Sequence, residues 1–93
     1  MDKTIKNSRR QFRELLKHEP FIVSPGVYDG YSIRLVEAAG FKTACTSGAA
    51  LSNALLGVPD IGVMGLAENV GHCRYLARSV GIPLTADADT GYG

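Results

Sequence analysis

The chain has 93 residues, 45% hydrophobic and 20% charged, with a net charge of +1, a composition that suits one small globular core and excludes a disordered or low-complexity segment. Its basic residues are spread out apart from Arg9-Arg10, so the electrostatic footprint of a nucleic-acid or anionic-membrane binder is missing and small-molecule chemistry is expected. No apolar run approaches the roughly 18 to 20 residues that cross a bilayer, and Cys45 and Cys73 lack Cys-x-x-Cys spacing behind a polar N-terminus, which points to a reducing, cytoplasmic setting.

From Thr4 to His18, Ile5, Phe12, Leu15 and Leu16 recur among charged residues, which predicts an amphipathic leading helix that ends before Pro20. Phe21-Ile22-Val23 reads as a first, buried strand closed by the turn Ser24-Pro25-Gly26. Asp29 to Ala39 follows as a helix, with Asp29 as N-cap, an apolar face of Tyr31, Leu35, Ala38 and Ala39, and a left-handed Gly40 at its end. Phe41 to Thr46 is the second predicted strand, leading into the small-residue turn Ser47-Gly48-Ala49-Ala50. Leu51 to Met64, punctuated by Gly57, Pro59 and Gly62, reads as a short helical turn and an ordered loop. Leu66, Val70, Cys73, Ala77 and Val80 then keep a 3.6-residue period, with Glu68 early and Arg74 and Arg78 late, as the helix dipole favours. Gly81 closes that helix, and Ile82 to Ala86 forms a third strand in which Pro83 is tolerated at the start.

Short apolar strands alternating with helices argue for an α/β fold with a parallel sheet of right-handed units. In such folds ligands bind beyond the C-terminal ends of the strands. Three polar clusters fall at the predicted ends: Ser24-Pro25-Gly26, Ser47-Gly48, and Asp87 with Asp89. Side chains alternate along an extended chain, so Asp87 and Asp89 point the same way, and two anions held together call for a cation or a proton between them. The competing reading of Asp87 and Asp89, and of Ser47-Gly48, is of ordinary solvated turn residues.

Five pieces in order carry a family resemblance: Pro25-Gly26-Val27-Tyr28-Asp29, Ala39-Gly40-Phe41, Thr46-Ser47-Gly48-Ala49, Gly57-Val58-Pro59-Asp60 and Ala86-Asp87-Ala88-Asp89-Thr90-Gly91-Tyr92-Gly93. Together they resemble the isocitrate lyase and phosphoenolpyruvate mutase superfamily. The resemblance implies the N-terminal part of a (β/α)8 TIM barrel: a single incomplete domain over residues 1–93, with the leading helix in 1–19 and the first three β/α units in 20–93. It implies a Mg²⁺ site, open also to Mn²⁺, with Asp87 as the nearest ligand and Asp60 and Asp89 holding metal-bound waters, in keeping with the hard oxygen ligands and retained waters of Mg²⁺. It also places Ser47, Gly48 and Ala49, together with Asp87, against the carboxylate of an α-keto acid or its enolate, and a hydroxyl beside backbone N–H groups at a tight turn suits an anion.

The implied parent reaction is cleavage of a 2-hydroxy di- or tricarboxylate, 2-methylisocitrate-like, to an α-keto acid through an enolate. A phosphonomutase-like or oxaloacetate decarboxylase-like enzyme is the alternative. The expected partners are a small carboxylate substrate and, for the full-length parent, three further copies in a homotetramer, with no nucleic acid or membrane. No acid or base is assigned within this chain. In the family's lyases that group is carried by a Lys-Cys-Gly-His loop after the fourth strand, a motif this sequence does not contain. Cys45 departs from the aromatic that many relatives carry two residues before the Ser, which opens the question of substrate. As an isolated polypeptide, three strands of a barrel would leave two open edges, so a non-catalytic fragment with weak or no activity and a tendency to self-associate is the expectation from a different class.

Asp89-Thr90-Gly91 matches the aspartic-protease triplet, but those enzymes are all-β and helical periodicity here opposes it. Cys73 reads as a buried structural thiol on an apolar helix face. His72 beside it is expected at the surface, since adjacent helical positions diverge, and His18 suits the C-terminal end of its helix. Gly91-Tyr92-Gly93 lacks the Lys and the following helix of a phosphate loop.

Overall fold

The computed structural model describes residues 7–59, 64–88 and 91. Helix α1 (Ser8–His18) begins where the Asn7 side chain accepts the Arg10 N–H at 3.1 Å and ends with the Glu19 N–H on the Leu15 carbonyl. It is followed by β1 (Gly26–Val27), α2 (Gly30–Ala38), β2 (Ala44–Thr46), a short helix α3 (Gly48–Leu51) continuing into a π-helical turn (Ser52–Leu56), α4 (Leu66–Ser79) and β3 (Leu84–Thr85). The strands form one parallel sheet in the order β1-β2-β3. Gly26 and Val27 stand beside Cys45 and Thr46, and Ala44 and Cys45 beside Leu84 and Thr85, so all three strands point their C-terminal ends to one rim. The expected α/β fragment with a three-stranded parallel sheet is present.

The first strand is displaced from its expected place. Phe21-Ile22-Val23 makes no ladder, and Phe21 is 75% exposed. The ladder forms instead at Gly26-Val27, with the Cys45 N–H donating to the Pro25 carbonyl at 3.0 Å. Proline has no N–H but its carbonyl still accepts, so Pro25 can open a strand at the edge of the sheet. Ser24-Pro25-Gly26 therefore leads into the strand, and Tyr28 and Asp29 occupy the rim in its place.

Helix α2 starts as predicted. The Asp29 carboxylate accepts the Ser32 N–H at 2.7 Å while the Ser32 hydroxyl oxygen accepts the Asp29 N–H at 3.1 Å, a reciprocal cap that satisfies two N-terminal donors. Gly40 ends it with φ +95°, a left-handed conformation favouring glycine. The buried stripe differs from the expected one. Tyr31 and Leu35 face solvent, and Ile33, fully buried, with Val36 packs against α4 and the sheet. In α4, likewise, Leu66 and Val70 are exposed, and the buried positions are Asn69 and Leu76. Val27, Ile33, Ala44, Leu76 and Val80 make the core between the sheet and these two helices, with each large side chain contributing about 1.5–3 kcal/mol of burial.

Three features hold as expected. Pro83 precedes β3 and gives its carbonyl to the Ala44 N–H at 3.1 Å and to the Thr43 hydroxyl at 2.9 Å. Gly57 closes the π-helical turn at φ +67°. His18 lies in the last turn of α1, where its ring meets the Glu14 carboxylate at 3.1 Å. Among the described residues no helix is long and apolar enough to cross a membrane.

Candidate functional site

The polar groups gather where β2 and β3 end. After Thr46 the chain stays extended through Ser47, whose hydroxyl oxygen accepts the Ala50 N–H at 3.4 Å and so caps α3. What was expected as a small-residue turn is this capped first turn of helix. The cap turns the Gly48 N–H toward β3, where it donates to Asp87 Oδ2 at 3.0 Å. Ser47, Gly48 and the exposed side chain of Asp87 thus lie at one rim, with Ala49 the next residue of the same turn. Asp60 and Asp89, the other expected metal ligands, lie outside the described residues. Among the described residues no three His, Cys, Asp or Glu side chains group to hold a metal. The donor that is described fits Mg²⁺ in kind: a hard carboxylate oxygen on an exposed side chain at a strand end, with room for retained waters.

Asp87 is held through its backbone as well. Its N–H donates to Thr46 Oγ1 at 3.0 Å, and its carbonyl accepts from Asn69 Nδ2 at 2.9 Å. Thr46 and Asn69 are 6% and 5% exposed. Cys73, one turn along α4, donates its thiol to Asn69 Oδ1 at 3.4 Å. Burial pushes the Cys73 thiol above its ordinary range, against a smaller opposite effect of Thr46. Half-buried and hydrogen-bonded, it is the structural thiol that its position on the helix predicted.

A second rim contact corrects the reading of His72. Its ring nitrogen meets the Tyr28 carbonyl at 2.5 Å, and the ring is half-buried between α4 and the β1–α2 turn. Beside it the Asp29 carboxyl titrates below its usual range, chiefly because the Ser32 N–H bonds it, then through the Ser32 hydroxyl, with a small contribution from His72 that burial opposes. Asn69 and Thr46 escaped the sequence reading because each occupies a position that apolar residues usually take. The available signal was the row Asn69, His72, Cys73, Leu76, in which polar side chains fall on the packed stripe of α4.

The architecture is that of an α/β protein with a polar site at the C-terminal rim of a parallel sheet, the usual ligand position in this class. The phosphoenolpyruvate phosphomutase family profile matches residues 12–93, and the chain belongs to that family, within the isocitrate lyase and phosphoenolpyruvate mutase superfamily of lyases and mutases. It is 40% identical over 81 residues to 2-methylisocitrate lyase of Aeropyrum pernix, covering 87% of this chain and 26% of that protein. A crystal structure of oxaloacetate acetylhydrolase superposes with TM-score 0.87 at 38% identity, over 92% of this chain and 31% of that one. Phosphonopyruvate hydrolase, solved with oxalate and Mg²⁺, superposes with TM-score 0.85 at 31% identity, over 92% and 30%. The chain spans less than a third of the length of these relatives.

Proposed function

We propose that residues 1–93 form the opening of a (β/α)8 barrel, with the leading helix in 1–19 and three β/α units in 20–93. On this reading the complete enzyme is a Mg²⁺-dependent carbon–carbon lyase that releases an α-keto acid from a 2-hydroxy di- or tricarboxylate of the 2-methylisocitrate kind. The observation that carries it is the exposed Asp87 carboxylate at the rim, fixed by the Gly48 N–H beside the Ser47 cap. Two features that are unremarkable in a sequence, an acidic strand end and a Ser-Gly turn, meet there in one site.

Mg²⁺, or Mn²⁺ in its place, would be held by Asp87 with Asp60 and Asp89, and would polarise the keto and carboxylate oxygens of the substrate. Asp87 binds and is pre-oriented by Gly48, so little reorganisation accompanies loading. The Ser47 hydroxyl oxygen already accepts a backbone N–H, which leaves its proton to donate to a substrate carboxylate. The Ala49 N–H, in the first turn of α3, adds a backbone donor to the same anion, beside Gly48, whose own N–H holds Asp87. The group that moves a proton during cleavage is assigned outside residues 1–93. The small carboxylate substrate is the partner this site fits, and a homotetramer is the assembly that membership of the superfamily suggests for the full-length enzyme.

Binding tests the site directly. Titration of the chain with Mn²⁺, followed by electron paramagnetic resonance, should show one site that Asp87→Ala removes, and oxalate should then broaden or shift the bound signal. Equal binding by Asp87→Ala would sink the proposal. A phosphonate-cleaving or mutase reading has its own support in the matching family profile and in the likeness to phosphonopyruvate hydrolase. Grafting residues 12–93 into the Aeropyrum relative separates the two. Pyruvate release from 2-methylisocitrate favours the lyase, and turnover of phosphonopyruvate alone favours the alternative. For the 93-residue polypeptide itself, with β1 and β3 both at sheet edges, weak or no catalysis and self-association are expected. A catalytically active, monomeric chain on size-exclusion chromatography would contradict that.

A further inference from the structure

Asp87 is bonded at each of its polar groups by a different element: its carboxylate by the Gly48 N–H of α3, its N–H by Thr46 at the end of β2, and its carbonyl by Asn69 of α4. The last two contacts grip the Asp87 peptide from its two sides. The Asp87 N–H donates to Thr46 Oγ1, Asn69 Nδ2 donates to the Asp87 carbonyl, and the Cys73 thiol, one turn along α4, donates to Asn69 Oδ1.

The Asn69 amide has both its Nδ2 donor and its Oδ1 acceptor engaged, so the bonds on its two sides polarise one another. The Thr46 and Asn69 side chains are buried, where each bond is stronger than in water and each broken one leaves a costly unpaired group. A buried amide on a helix face that otherwise packs Leu76 and Val80 adds little to the apolar core, and its Nδ2 is tied to the carbonyl of a rim residue.

We infer that Thr46 and Asn69 are positioning residues for Asp87. They grip the two sides of its peptide and fix the direction from which its carboxylate meets the cation. Cys73 holds Asn69 in place by donating to its Oδ1. The inference rests on the proposed role of Asp87 as a metal ligand, and outer partners that hold a ligand in place commonly change metal affinity by about 10- to 100-fold when removed.

Thr46→Val preserves shape and removes the acceptor for the Asp87 N–H, Thr46→Ser keeps it, and Asn69→Leu removes the donor on the other side. Amide hydrogen exchange of the metal-free chain, read by NMR, reports the grip without any metal. Exchange at Asp87 should accelerate about five- to tenfold in Thr46→Val, as loss of one hydrogen bond implies, and return to within about twofold of the parent in Thr46→Ser. The Mn²⁺ dissociation constant should rise about tenfold or more in both Thr46→Val and Asn69→Leu, and Thr46→Ser should again restore it.

Unchanged exchange at Asp87 in Thr46→Val overturns the inference. So does a lowered melting temperature with unchanged Mn²⁺ affinity in both variants, which is the signature of bonds that merely brace the sheet. Should Thr46→Val not fold, Asn69→Leu decides through the same two readouts. If Asp87→Ala binds Mn²⁺ as the parent does, the metal-site reading of Asp87 fails by itself, and the exchange measurement still decides the grip.

Discussion

The two ends of the sheet are built from different materials. At the C-terminal rim, Thr46, Asn69, Gly48 and His72 make short directional bonds between elements, and they converge on the backbone and carboxylate of Asp87 and on the Tyr28 carbonyl. At the opposite end, Leu15, Phe41, Ile82 and Pro83 line an open groove of about 680 Å³ beneath α1, bordered by the ion pair of Lys42 with Glu19. Apolar contact holds surfaces together without specifying a direction, whereas a hydrogen bond fixes one atom relative to another. The contrast indicates that the rim is organised to aim particular groups, whereas the far end leaves an open groove under a helix that buries none of its residues.

Substitutions should separate these roles. The largest effect on stability is expected in the core that both ends share. Ile33→Ala empties a fully buried site and should cost about 2–5 kcal/mol, a large share of the about 5–15 kcal/mol available to a small domain. Loss of a cooperative thermal transition by circular dichroism is the expected result. Asp87→Ala comes next and inverts the pattern. Mn²⁺ binding should disappear while the melting temperature barely moves, because the side chain is exposed. A large drop in melting temperature would show that the rim braces the fold as much as it aims a ligand.

A smaller, pH-dependent effect belongs to Asp29. Its folded carboxyl titrates below the ordinary value of 3.8, first because of the Ser32 N–H. A lowered folded value means stability that is present above the unfolded value and is lost as pH falls through the folded one. Thermal melts of the parent should therefore decline below about pH 4 more steeply than those of Asp29→Asn. Parallel acid limbs would show that the cap gains nothing from its charge. The least effect is expected at the far end, where Lys42→Ala removes a largely exposed ion pair with Glu19. The loss should be about 0–1 kcal/mol and shrink with added salt. A larger, salt-independent loss would mean that the groove is held electrostatically, and would erase the contrast between the ends.

The parts that could be read from the sequence are those that local chemistry decides within a few residues. Asp29 with Ser32 caps a helix, Gly40 takes a left-handed conformation, Ser47 redirects the chain, and Pro83 can only precede a strand. The misplaced first strand and the helix faces have another cause. Phe21-Ile22-Val23 is more apolar than Gly26-Val27, yet the ladder forms where the neighbouring Cys45 and Thr46 can pair. Tyr31 and Leu35 make as good an apolar stripe as Ile33 and Val36, and periodicity cannot tell which of two stripes meets a partner.

The same distinction runs through the site. The sequence by itself determined that the chain alternates helices with short strands, that its family chemistry calls for acidic and Ser-Gly strand ends, and that Asp87, Ser47, Gly48 and Ala49 stand at those ends. Only the tertiary structure decided that the Gly48 N–H lands on the Asp87 carboxylate, and that Thr46 and Asn69 close on its peptide from two sides. Thr46 lies 41 residues from Asp87 and Asn69 lies 18. Bonds between residues so far apart depend on the register of β2 against β3 and on the rotation of α4 over the sheet. Both are set by burial of Ile33, Leu76 and Val80 and not by any local preference.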